Sequence, residues 1–259
     1  MRKIVTEGVI CLKDDYGLIY KVSDIIYEEL EDCNYKYIFR PCYNVINLLS
    51  SYLFQGIPGL NLDLKLDCYV RENIIPVFIS ERTPGENRED LQELLAKCGM
   101  KHLNRLEWLI KTDTQYFGDR LFVIEKTNYP NPIEVNSMFD LVERFDSINK
   151  KLLDIICYGL NLNCKEVKIN DNNRLEYYNL LLPIYQKYYE SRMKRLTKGI
   201  KRAVEENSFK GRKAKFIDPN IFKIVVTDYK NKNISLEDAL EKLDVSKSTF
   251  FRRMRELNL

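Results

Sequence analysis

The chain has 259 residues, 45% hydrophobic and 31% charged, enough for one sizeable core and a small accessory domain. It contains no apolar run of the roughly 18 residues that a bilayer span needs, and its first residues lack the apolar core of a signal peptide, so a soluble, cytoplasmic protein with no membrane partner is expected. The net charge of +3 conceals a segregation: residues 187–259 hold 19 Lys and Arg against 10 Asp and Glu, which points to a polyanionic partner for the tail and none for the near-neutral body.

In chain order, residues 4–12 read as a strand, residues 22–31 as a helical stretch, and residues 45–54 as an apolar run ending at Gly56-Ile-Pro-Gly59, to which no role is assigned. Residues 74–79, Ile-Ile-Pro-Val-Phe-Ile, read as a buried strand. The turn residues Thr83-Pro-Gly85 and an amphipathic helix at about 87–98 follow it, making a βα unit. Leu121-Phe-Val-Ile124 is a second short strand. Residues 136–148 form a helical pattern with Met138, Leu141, Val142 and Phe145 at i, i+3, i+4, i+7, and residues 152–156 are a third strand candidate. Strands alternating with helices argue for a parallel or mixed α/β sheet. The cysteines at 11, 33, 42, 68, 98, 157 and 164 form no C-x-x-C pair, and the single histidine, His102, has no ligand-like neighbour. The thiols are therefore read as reduced and mostly buried, and neither metal nor cofactor is expected.

Residues 174–207 carry the longest helical pattern, with Leu181, Ile184, Tyr185, Tyr188, Met193, Leu196 and Ile200 at helical intervals and Pro183 as a kink or a starting residue. The cationic link Gly211-Arg-Lys-Ala-Lys215 follows. Within 219–257, Ile221, Ile224, Val225, Tyr229, Ile234, Ala239, Leu240, Leu243, Val245, Phe250, Met254 and Leu257 suffice for a three-helix mini-domain. Ser235, with Asp238 three residues on, is placed to cap the middle helix, and Ser246 the last one. Leu243-Asp-Val245 has the length of the turn that sets two helices at roughly 90–120°. The final helix offers small polar and basic residues first (Ser246, Lys247, Ser248, Thr249), where base edges lie. Arg252, Arg253 and Arg255 come later, where phosphates lie. Arg212, Lys213 and Lys215 are placed to follow the phosphate-lined minor groove.

The stretch Glu190-Ser-Arg-Met-Lys-Arg-Leu-Thr-Lys-Gly-Ile-Lys-Arg-Ala203, then Gly211-Arg-Lys213, then residues 234–255, resembles the C-terminal half of the serine recombinases, the resolvase/invertase family. There a long helix, a GR-rich arm and a helix-turn-helix close the chain. Upstream, Gly118-Asp-Arg-Leu-Phe-Val123 with Met138-Phe-Asp-Leu-Val-Glu-Arg144, and residues 75–99, are similar to the family's strand–helix segments, so the resemblance spans roughly 74–257. It implies double-stranded DNA as partner, a homodimer or higher homo-oligomer, and a long helix that pairs the subunits. The family's Y-x-R-V-S-T nucleophile segment is matched by Phe78-Ile-Ser-Glu-Arg-Thr83, with Ser80 where the arginine belongs and Arg82 where the serine belongs. A two-residue shift along a strand displaces a hydroxyl by about 7 Å, out of in-line reach of a clamped phosphate. The later arginine-bearing segment is replaced by Lys126-Thr-Asn-Tyr-Pro-Asn-Pro132.

The expected architecture is thus α/β: an N-terminal segment of unassigned role at 1–72, a resolvase-like α/β domain at 73–173, a long dimerisation helix at 174–208, a basic arm at 209–218, and a small all-α helix-turn-helix domain at 219–259. The expected function is sequence-specific DNA binding without catalysis, as a transcriptional regulator or an accessory factor of a mobile element. The alternative is an active site-specific DNA recombinase using Ser80 or another serine, with arginines such as Arg71, Arg82 and Arg88 regrouped by an altered loop. A third reading makes residues 1–70 a ligand- or partner-sensing module.

Overall fold

A computed structural model describes residues 4–30, 34–116, 118–206 and 217–257. The chain divides into two compact units, Met1–Arg195 and Leu196–Leu259, and it is mixed α/β.

The first unit is built on consecutive hairpins. Strand β1 (Ile4–Lys13) pairs antiparallel with β2 (Ile19–Glu29), and β2 with β3 (Tyr35–Pro41). The short helix α1 (Tyr43–Ile46) follows, and β4 (Tyr69–Glu72) then closes one edge against β3. Helices α2 (Val77–Ser80), α3 (Leu91–Lys97) and α4 (Arg105–Thr112) lead to β5 (Leu121–Glu125), which adds antiparallel to the other side of β1. The sheet order is β4-β3-β2-β1-β5.

This sheet corrects the parallel or mixed one expected from sequence. Strands joined by a few residues can only turn back on themselves, whereas parallel neighbours require a long crossover. The sheet also takes strands from both sides of residue 72, so segments 1–72 and 73–173 share one core. Parallel pairing among the described residues is confined to two residues each of β6 (Ile133–Glu134) and β7 (Leu162–Asn163), with β8 (Lys168–Ile169) antiparallel beyond.

Four local readings change with it. Residues 22–31 hold most of β2, because Val22, Ile25 and Ile26 are buried on a strand whose two faces are both covered, a pattern that imitates helical spacing. Residues 74–79 are not a strand: Pro76, which lacks an N–H for a ladder, is the N-cap of α2. Residues 152–156 lie inside α5 (Ile148–Cys157), whose Leu152, Leu153, Ile155, Ile156 and Cys157 are buried; a short apolar run does not distinguish a strand from a buried helix. Residues 136–148 form two 3-10 turns, Met138–Leu141 and Phe145–Ser147, with Val142 extended between them. The Glu166 carboxylate accepts from Ser137 Oγ (2.9 Å) and Met138 N (3.0 Å), pinning the first turn to a distant loop.

One face of the sheet carries the main core, including Ile10, Leu12, Tyr20, Phe39 and Val123, under α1, α4 and α5. Helix α6 (Arg174–Glu205) runs through Pro183 without ending, so that proline lies inside the helix. Its N-terminal half joins this core through Tyr178 and Tyr185. Polar contacts tie it to the β1–β2 turn: Asp14 accepts from Tyr16 N, Leu18 N and the Tyr20 hydroxyl, which lies 3.0 Å from the Tyr178 hydroxyl. The thiols of Cys11, Cys157 and Cys164 are buried and that of Cys68 is exposed; burial pushes Cys11 up to about 12 and Cys42 up to about 11.

Candidate nucleic-acid interface

In the second unit, α7 (Pro219–Lys230), α8 (Leu236–Leu243) and α9 (Lys247–Glu256) share one small core. Asp218 caps α7 by accepting from Asn220 N, with Pro219 at the first helical position, where its missing N–H costs nothing. The buried stripe of α7 is Phe222, Val225 and Val226, with Tyr229 packed against it. Ile221 and Ile224, read from sequence as core, are 54% and 63% exposed, and Leu257 is exposed as well. Both candidate stripes have helical spacing, and the aromatic residues decide between them. Phe222 lies 5.6 Å from Phe250, and Phe250 in turn lies 5.7 Å from Tyr229 and 5.4 Å from Phe251, so the larger rings fill the centre.

The α8–α9 junction is set by side chain to backbone bonding. Ser235 Oγ accepts from Asp238 N (3.1 Å) while the Asp238 carboxylate accepts from Ser235 N (3.1 Å), closing a capping box. The Ser235 hydroxyl, and then the Ser235 N–H, hold the Asp238 carboxyl below its ordinary range. Helix α8 ends on Asp244, whose φ of 49° is left-handed. Glycine usually serves there, and aspartate is among the few other residues that tolerate it. Val245 N then donates back to Leu240 O (3.1 Å), and after three connecting residues α9 begins. Ala239, with no accessible surface, lies in the same small core as Leu243 and Phe250.

Ser246 caps α9, accepting from Thr249 N (3.4 Å), and its hydroxyl is 3.0 Å from those of both Ser248 and Thr249. Ser246, Lys247 and Ser248 are exposed and Thr249 is half-buried. Ser248, Arg252 and Arg255, at i, i+4, i+7, form one exposed face. Arg252 meets Glu256 at 3.6 Å, and Arg255 donates to Phe251 O (3.3 Å). Arg253 departs from this set. It is half-buried and donates to Ile217 O (3.2 Å), binding α9 to the start of α7. Arg212, Lys213 and Lys215 lie outside the described residues.

Ser80 and Arg82 are not brought together as a nucleophile and its clamp. Ser80 is exposed at the end of α2 and its hydroxyl donates to Val77 O (3.1 Å). Arg82 is buried, stacked on Phe78, donating to Phe78 O (2.9 Å) and paired with Asp119. The other arginines of that set are engaged elsewhere: Arg71 donates to Val70 O and Gly59 O, and Arg88 pairs with Asp90. Comparison with protein-family models, with curated proteins and with solved structures returned no match.

Proposed function

We propose that this chain is a sequence-specific, non-catalytic DNA-binding protein whose C-terminal unit is a helix-turn-helix, with α9 as the helix that enters the major groove. The observation that carries the reading is the exposed α9 face: a capped N-terminus presenting Lys247 and Ser248, followed by Arg252 and Arg255, on a helix anchored by Phe250. Short polar side chains at a helix start reach base edges, and arginines further along meet phosphates. Lys247, Ser248 and Thr249 each have donors or acceptors suited to more than one base. The role would be that of a regulator or an accessory factor of a mobile element, as the likeness to resolvase C-terminal halves implies.

A homodimer belongs to the same proposal. Leu196, Ile200 and Val204 are 50%, 57% and 58% exposed on neighbouring positions of α6, a stripe that a second copy would cover. The engagement of Arg82 with Asp119, and of Ser80 with a backbone carbonyl, supports binding over strand cleavage.

The test is a gel shift on duplexes from the protein's own genomic neighbourhood, each sample also run under denaturing conditions. A shift that survives unrelated competitor DNA, without a covalent adduct, is the expected result. An adduct lost in Ser80→Ala would overturn the non-catalytic reading, and the absence of any competitor-resistant shift would overturn sequence-specific binding.

A further inference from the structure

The first unit contains a groove of about 950 Å³ where the β1–β2 turn, the segment leading into α5, and α6 converge. We propose that it is a binding site for a nucleotide, a flat base carrying phosphate, either free or as part of a single strand.

Its floor is aromatic and held in place. Tyr16 and Tyr189 meet edge to face at 5.8 Å, Tyr189 lies 6.3 Å from Tyr185, and the Tyr185 hydroxyl donates to Tyr16 O (3.2 Å). Two further rings stand at its rim, Phe145 at 73% exposure and Tyr188 at 39%. Phe145 is also stacked on the exposed Phe139 at 5.9 Å. Aromatic rings left in water on the wall of a concave site offer stacking surface to a planar ring of any base.

The groove's charges complement a phosphate. Arg144, Lys150 and Arg192 all line it. Arg192 makes no ion pair among the described residues, whereas Arg144 is balanced by Asp146 at 3.0 Å and Lys150 by Asp154 at 2.7 Å. Those two pairs are exposed and therefore weak, so an incoming phosphate exchanges readily for either carboxylate. The first turn of α5 lines the groove and carries no acidic residue, so the positive end of that helix lies beside the same cations. The volume lies within the range of small-ligand sites and has room for a mononucleotide or a short stretch of strand.

Because the groove and α9 belong to different units, the two proposals fail separately. The full chain is titrated calorimetrically with ATP, GTP, adenosine, inorganic phosphate and a short oligothymidylate. Saturable binding of a phosphate-bearing base, with adenosine and phosphate alone each weaker by about tenfold or more, is expected. Tyr188→Ala and Arg192→Ala, both exposed and expected to melt as the wild type does, each weaken it by about tenfold. Tighter binding of the oligothymidylate than of ATP or GTP, lost in Tyr188→Ala, assigns the site to a strand, and the reverse order assigns it to free nucleotide. No saturable binding of any probe overturns the proposal, as does binding that neither variant alters.

Discussion

Arg174 has 1% of its surface exposed, yet its guanidinium is largely satisfied. It donates to Leu160 O (2.8 Å), Asn161 Oδ1 (2.8 Å) and Asp171 Oδ1 (2.9 Å), with longer contacts to the Ile156 and Gly159 carbonyls. A cation at the carbonyl end of α5 both answers the last unpaired acceptors of that helix and opposes its dipole. Arg174 also begins α6, so one residue fixes the join between the two helices that wall the groove. Arg174→Met leaves those partly buried backbone acceptors unpaired and is expected to destabilise the first unit by roughly 3 kcal/mol, read as a lower urea midpoint with no change in the slope. Nothing in the sequence near Arg174 distinguishes it from a surface arginine at a helix start. Its partners come from a loop and a helix end that only the fold places beside it. Arg82, one of the regrouped arginines of the alternative recombinase reading, is buried against Phe78 and paired with Asp119.

At the scale of elements, what was legible was local. The caps at Ser235 and Ser246, the helix spanning Arg174–Glu205, and the strand at Leu121–Glu125 depend on residues within a few positions of one another, and they lie where the sequence puts them. The antiparallel sheet was not legible. Val22, Ser23, Ile25 and Ile26 are all buried because β2 lies between two neighbours with both faces covered, and such a strand loses the alternation that identifies it. In α7, Ile221 with Ile224 and Phe222 with Val225 have equal spacing, so only packing against Phe250 selects the second pair. That selection is testable. Phe250→Ala removes the ring that touches Phe222, Tyr229 and Phe251 and is expected to cost the C-terminal unit about 3–5 kcal/mol, enough to unfold a core of this size. Ile224→Ala, on the exposed side, is expected to cost well under 1 kcal/mol. Calorimetry of the full chain should show the loss confined to one transition, with that of the first unit unmoved.

For the whole molecule, the segregation of charge is the feature that sequence made plainest. The basic residues of the tail include the exposed α9 arginines, whereas residues 1–186 have a net charge of −6 by the same count, and the aromatic and cationic groove takes Arg144 and Lys150 from the latter and Arg192 from the former. The groove was invisible in the sequence because it draws on residues 16, 144–150 and 184–192, segments whose proximity follows from the hairpin, α5 and α6 together. The proposed DNA binding would separate contacts by type, with base recognition at the start of α9 and phosphate neutralisation along it. The most direct measurement is selection from a pool of random duplexes by the full-length protein, repeated with Lys247→Ala, Ser248→Ala and Arg252→Ala. The account predicts one enriched motif for the wild type, altered at one or two base positions by Lys247→Ala or Ser248→Ala, and unaltered by Arg252→Ala, which instead weakens every sequence and lessens the salt dependence. Enrichment of no motif, or of the same motif with the same affinity in all four proteins, would contradict it.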